Sequence, residues 1–163
     1  MRISLTNAGD YAVRAVLDIA RHSPDLRTNR QISAAMDLPT KFLSQILATL
    51  VRDTLLASTA GPAGGYALGR PASEISVLEV IESVQGPIAA DECMFGGGSC
   101  DWDQVCPLHE TWSAAKMGFR EQLGATSFDK LVTIDAAIET GTYRIPDNAP
   151  PHASTPPRRG VND

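Results

Sequence analysis

A mainly helical chain carrying one small β-hairpin, with a longer helix set apart from it, is the fold class this sequence predicts. Three observations carry that prediction. Apolar residues recur at helical spacing three times within residues 7–53, a glycine-rich turn joins two short alternating runs within 55–71, and another helical stripe follows residue 109.

The first helix is expected in "NAGDYAVRAVLDIARH" (7–22), where Tyr11, Val13, Ala15, Val16, Leu17, Ile19 and Ala20 form a broad apolar stripe. Thr6 or Asn7 can cap it, and Ser23 with Pro24 ends it. A second, short helix fits "NRQISAAMD" (29–37), with Asn29 as its cap and Ile32, Ala35 and Met36 facing inward. Leu38 and Pro39 turn the chain into a third helix, "TKFLSQILATLVRD" (40–53), whose Phe42, Leu43, Ile46, Leu47 and Leu50 repeat at three and four.

Short helix, tight turn, helix is a helix-turn-helix signal, although many helical bundles share it. The next stretch is more informative. "LLASTAGPAGGYALGRP" (55–71) reads as a hairpin in which Leu55, Leu56 and Ser58 lead in, Gly61, Pro62, Gly64 and Gly65 supply the turn, and Tyr66 and Leu68 return. A hairpin directly after a helix-turn-helix makes a winged helix, whose wing lies along phosphates or in the minor groove.

"SEISVLEVIESVQG" (73–86) then predicts a helix opened by Ser73 and closed by Gly86, burying Ile75, Leu78, Val80, Ile81 and Val84. Beyond His109, "ETWSAAKMGFREQLG" continues as a longer helix with Trp112, Ala115, Met117, Phe119 and Leu123 on its stripe, and a weaker helix is expected near 127–139. A lone amphipathic helix needs another surface, either its own domain or a second copy; the usual surface in a small regulator is a second copy, so a homodimer is expected. From Pro146 onward the chain is rich in Pro, Ser and Asn and too poor in apolar residues to order itself.

The net charge of −5 is unevenly spread: residues 1–70 carry eight Lys and Arg against five Asp, giving +3, and residues 71–163 carry six against fourteen acids, giving −8. Only the local sign governs an approach to phosphate, so the amino-terminal half is the one suited to nucleic acid. The opening residues hold no apolar signal core and no later run reaches the roughly 18 apolar residues of a membrane span, so a cytoplasmic protein with no membrane partner is expected.

All three cysteines lie in "CMFGGGSCDWDQVC", from Cys93 to Cys106, and His109 follows after two intervening residues. An odd count leaves one thiol outside any disulfide, so the three read better as ligands. Structural zinc sites pair their cysteines two to four residues apart, whereas six residues separate Cys93 from Cys100 and five separate Cys100 from Cys106. Wide gaps around Gly96, Gly97 and Gly98 suit an iron–sulfur cluster better than a single ion, with zinc and thiol-based redox sensing as the alternatives. Cys106 and His109 could also be drawn as nucleophile and base, but they lack a third orienting group, so no enzyme is expected.

The expected organisation is thus a winged helix-turn-helix domain over 1–88, a cluster-binding loop over 89–109, a dimerisation helix region over 110–140 and a disordered tail over 141–163. In this order "GDYAVRAVLDIA", "LPTKFLSQILATLVRD", "GPAGGYALGRPASEISVLEVIESVQG" and the three cysteines followed by "PLHETW" resemble the IscR and NsrR type of iron–sulfur winged-helix regulators, often called the Rrf family of bacterial transcription factors. The resemblance covers roughly residues 1–135.

It implies a homodimer crossing through the helix after the cysteines and binding near-palindromic, double-stranded promoter DNA, with affinity set by the state of a cluster. Cys93, Cys100 and Cys106 would be the thiolate ligands. In the IscR pattern a histidine completes a 2Fe-2S cluster, and His109 stands there; in the NsrR pattern a carboxylate from the partner subunit completes a 4Fe-4S cluster, and Asp10 stands there. The "CPLHETW" match favours His109. The first cysteine gap is one residue longer than in the IscR pattern, and Ala60 stands before Gly61 where the family commonly has an arginine. The remaining expected DNA contacts are Arg30, Lys41 and Arg52 to phosphate, Ser44 and Gln45 to base edges, and the wing glycines Gly64 and Gly65.

Overall fold

The computed structural model describes residues 6–88, 106–144 and Pro146. Its elements run α1 (Asn7–Arg21), α2 (Asn29–Met36), α3 (Thr40–Arg52), β1 (Leu56–Thr59), β2 (Gly65–Leu68), α4 (Val77–Gln85), α5 (His109–Gly124) and α6 (Phe128–Glu139), with a 3-10 turn at Ala72–Glu74. This is the mainly helical winged-helix architecture the sequence predicts.

Helix α1 is the centre of the packing, touching α2, α3, α4, α6 and β2. Thr6 caps it by accepting from the Gly9 N–H at 3.1 Å, and Ala12, Ala15, Val16 and Ile19 face a core shared with Ile32, Leu43, Leu47, Leu50, Val80 and Ile81. Of the expected stripe Ala15, Val16 and Ile19 are buried, Tyr11, Val13, Leu17 and Ala20 sit at its margins, and Ala12, outside the expected set, is fully buried.

Four local expectations are corrected. Thr28, not Asn29, caps α2: its hydroxyl accepts from the Gln31 N–H while Gln31 Oε1 accepts from the Thr28 N–H at 2.9 Å, a reciprocal pair that a cap at Asn29 would forgo. Ala35 is exposed, and Phe42 keeps 43% of its surface in solvent, with its ring at 86° to the Tyr11 ring and 5.9 Å between centroids. Helix α4 opens at Ser76 and not Ser73, since Ser76 and Glu79 make the same reciprocal box, leaving Ile75 extended and fully buried.

The hairpin pairs Leu56 with Leu68 through Thr59 with Gly65. Its turn needs Gly61, whose φ is +107°, and Gly64, where a Cβ would lie 2.1 Å from the Thr59 carbonyl oxygen. Gly65 lets β2 approach the chain leaving α1, where Arg27 and Tyr66 exchange both backbone hydrogen bonds at 2.9 and 2.8 Å.

In contrast to α1 and α3, α5 buries no residue fully; it rests on α4 and leaves Met117 and Phe119 exposed. The chain then returns to the core. Val77 donates to the Thr126 carbonyl at 2.9 Å, Phe128 donates to the Ile75 carbonyl at 3.0 Å, and the Phe128 ring is fully buried at the start of α6. Arg21 of α1 holds the far end of α6 through Asp135, at 3.0 Å, and Glu139. Of the expected tail, Thr142 and Tyr143 fold back onto the Ala137 carbonyl, and the rest beyond Pro146 lies outside the described residues.

Candidate nucleic-acid interface and cysteine segment

Helix α3 divides cleanly at 100° per residue. Leu43, Ile46, Leu47 and Leu50 form its buried face, and Lys41, Gln45, Ala48 and Arg52 fall on the opposite one. Lys41 and Gln45 are exposed and make no hydrogen bond or ion pair among the described residues, and the same holds for Arg30 in the first turn of α2. These three are free to meet a ligand.

Ser44 and Arg52 are already engaged. Ser44 lies on the flank of α3 toward α2, where its Oγ accepts from Asn29 Nδ2 at 2.6 Å and donates to the Thr40 carbonyl at 3.1 Å. That arrangement makes Ser44 a fastener between the two helices. Arg52 Nε donates to Asp53 Oδ1 at 3.0 Å, and the other Asp53 oxygen accepts from Ser83 Oγ at 2.7 Å. Hydrogen bonds from Arg52, then Ser83, hold the Asp53 carboxyl below its ordinary range.

The helix ends differ in charge. Helices α1, α4, α5 and α6 carry Asp10, Glu79, Glu110 and Asp129 in their first turns, whereas α2 and α3 carry no acid there. The partial positive charge of those two N-termini is therefore left unneutralised beside Arg30 and Lys41, an arrangement suited to phosphate oxygens.

The hairpin bears no charged side chain from Thr54 to Gly69. Gly64 and Gly65 are fixed by the close approaches to Thr59 and Arg27, so their backbone could reach a duplex but steric need already explains them. Arg27, the cation at the wing's base, is turned inward: its guanidinium grips the Asp18 carboxylate by Nε at 2.9 Å and Nη2 at 3.2 Å, with Asp18 1% exposed. The sequence reading missed this pair. Its signal was an acid set inside the apolar stripe of α1, between Leu17 and Ile19.

Among the proposed ligands, Cys93 and Cys100 lie outside the described residues. Cys106 is a free thiol, half-buried, and His109 is the exposed first residue of α5; the His109 N–H donates to the Cys106 carbonyl at 2.9 Å, which closes a turn holding the two near each other. A cysteine sulfur and an uncommitted imidazole within one turn are donor types that an iron–sulfur cluster or zinc accepts. Asp10 lies in the first turn of α1, half-exposed, with Arg14 3.5 Å away. Among the described residues no three His, Cys, Asp or Glu side chains converge as a metal site.

Comparison with known proteins agrees with the fold. The family described as Rrf2, iron-dependent transcriptional regulator, matches residues 5–134. The chain is 36% identical over 144 residues to the HTH-type transcriptional regulator IscR of Xenorhabdus nematophila, covering 88% of this chain and 87% of that one. It is also 36% identical over 129 residues to IscR of Pectobacterium atrosepticum, 78% of each. In structure it is similar to CymR, the global cysteine regulator of B. subtilis, with a TM-score of 0.71 at 22% identity over 81% of this chain and 98% of that one. IscR of T. potens superposes with a TM-score of 0.67 at 24% identity, over 82% and 88%.

Proposed function

The chain belongs to the Rrf2 family of transcriptional regulators, and on that premise we propose that it binds promoter DNA as a homodimer under the control of an iron–sulfur cluster. The observation that carries the DNA half of this reading is the pair of acid-free helix N-termini flanked by uncommitted Arg30 and Lys41. Arg30 and Lys41 take phosphates, Gln45 reads base edges from the same exposed face, and Ser44 keeps the recognition helix in register through Asn29. Arg52, committed to Asp53, contributes less. The wing reaches the duplex with the uncharged backbone around Gly64 and Gly65.

Cys93, Cys100 and Cys106 hold the cluster, with His109 completing a 2Fe-2S centre; a 4Fe-4S centre would instead use Asp10 of the partner subunit. Such a cluster supplies a centre that responds to redox state, nitric oxide or cluster availability. A protonatable imidazole is a weaker ligand than thiolate and makes that corner the labile one. The second copy docks on α5, where Leu108 and Phe119 are exposed on one flank and Met117 on the other. Within the described residues no helix is long and apolar enough to cross a membrane.

The test is anaerobic purification followed by iron, sulfide and zinc counts and visible absorption. Two irons per chain with a structured visible spectrum support the His109 centre, and four move the fourth ligand to the partner's Asp10. Zinc alone, or no metal after anaerobic reconstitution, overturns the cluster and leaves a DNA-binding regulator with a structural zinc site or a thiol sensor.

A further inference from the structure

Ile88, the last described residue before the cysteine segment, is gripped at both of its backbone polar groups. Its N–H donates to Glu82 Oε1 at 2.9 Å, and its carbonyl accepts from Arg120 Nη1 at 2.8 Å. The same Arg120 nitrogen also reaches Glu82 Oε1, closing a three-way node between α4, α5 and the entry to the segment. The segment's other end is tied to the start of α5 by the His109–Cys106 hydrogen bond. Both ends are thus anchored on one helix, at positions that a rise of 1.5 Å per residue separates by about 16 Å.

Helix α4 carries the node inward. Beside Glu82, Val80 and Ile81 are fully buried against the core, so α4 cannot move alone. Ser83 reaches Asp53 at the C-terminal cap of α3, and Gln85 Oε1 accepts from the hydroxyl of Thr6, the cap of α1, at 3.0 Å. Three neighbouring polar side chains of α4 therefore touch the entry to the cysteine segment at Ile88, the end of the recognition helix and the start of the central helix. Arg120 and Glu82 are only 30% and 24% exposed, so water weakens their pairing less than it would an open surface pair.

We propose that Glu82 and Arg120 are positioning residues that transmit the state of the cysteine segment to the DNA-binding body. They do not hold the cluster themselves. This inference rests on the proposed reading of a cluster-controlled regulator, and it makes the coupling separable from cluster retention and from DNA contact.

The experiment compares full-length wild type with Arg120→Ala, Arg120→Lys and Glu82→Gln, each with and without cluster. The probe is a labelled duplex selected from a random-sequence pool against both forms. Iron and sulfide per chain and the affinity of the cluster-free form are expected to match wild type in every variant. The ratio of affinities between the two forms is expected to fall about fivefold or more toward one in Arg120→Ala and Glu82→Gln, with partial rescue by Arg120→Lys. Amide exchange across residues 77–85 is expected to respond to cluster loading in wild type and not in Arg120→Ala.

A wild-type ratio retained in Arg120→Ala and Glu82→Gln overturns the inference and leaves the cluster reading intact. Loss of iron from Arg120→Ala also overturns it, because the pair would then act on retention. A wild type whose affinity ignores the cluster overturns both.

Discussion

Helices α3 and α5 are of similar length, 13 and 16 residues, and meet opposite fates. Helix α3 buries Leu43, Ile46, Leu47 and Leu50 within its own chain and presents charge outward, while α5 buries nothing fully and presents Met117 and Phe119 outward. The difference is one of partners. A recognition helix must be held rigidly from behind so that its front can be polar; α5 rests on α4, and on the proposed reading its exposed flanks take a second copy as their partner.

The sharpest way to break this contrast is at Phe128, which lies beyond α5 but is fully buried in the same core as α3. Phe128→Ala is expected to cost about 3–5 kcal/mol in urea unfolding. A loss below 1 kcal/mol would mean that α6 detaches and that the two regions are independent units. Met117, 60% exposed, should behave in reverse. Met117→Glu is expected to leave monomer stability near wild type and to weaken self-association by about 2 kcal/mol, roughly thirtyfold, in sedimentation velocity. Unchanged association would remove α5 as the docking face.

On the recognition side, Lys41→Ala should shallow the slope of log affinity against log salt by about one unit, with little effect on association of the two copies. An unchanged slope would take Lys41 off the phosphates. The smallest effect concerns pH. Burial raises the Glu79 carboxyl, but hydrogen bonds from Arg70 and Ser76 outweigh it and hold the group below its ordinary 4.5. A depressed folded value contributes stability present above pH 4.5 and lost as pH falls through the folded value. Glu79→Gln should flatten that acid limb in urea titrations between pH 3 and 6; an unaltered limb would assign it to other carboxylates.

Much of this fold was legible in the sequence because its signals are local. The spacing of Leu43, Ile46, Leu47 and Leu50 and the glycines of the wing determine their own geometry. What escaped depended on contacts distant in sequence. Nothing near Ser44 announces that Asn29 will occupy its hydroxyl, nor does anything near Arg52 reveal Ser83 behind Asp53. Caps were misplaced by one to three residues because Thr28 and Asn29, or Ser73 and Ser76, are chemically equal candidates until the reciprocal Gln31 or Glu79 is weighed.

The bridge between Arg27 and Tyr66, with Gly65 pressed on the Arg27 backbone and Asp18 clasping the Arg27 side chain, removes the freedom a wing would otherwise have. Recognition helix and wing travel together, like one jaw of a caliper. Each jaw has a fixed gauge, and what a pair of them can vary is the gap. If two copies bind DNA as proposed, selectivity among operators is a matter of how far apart two identical half-sites lie along the duplex and at what rotation about its axis.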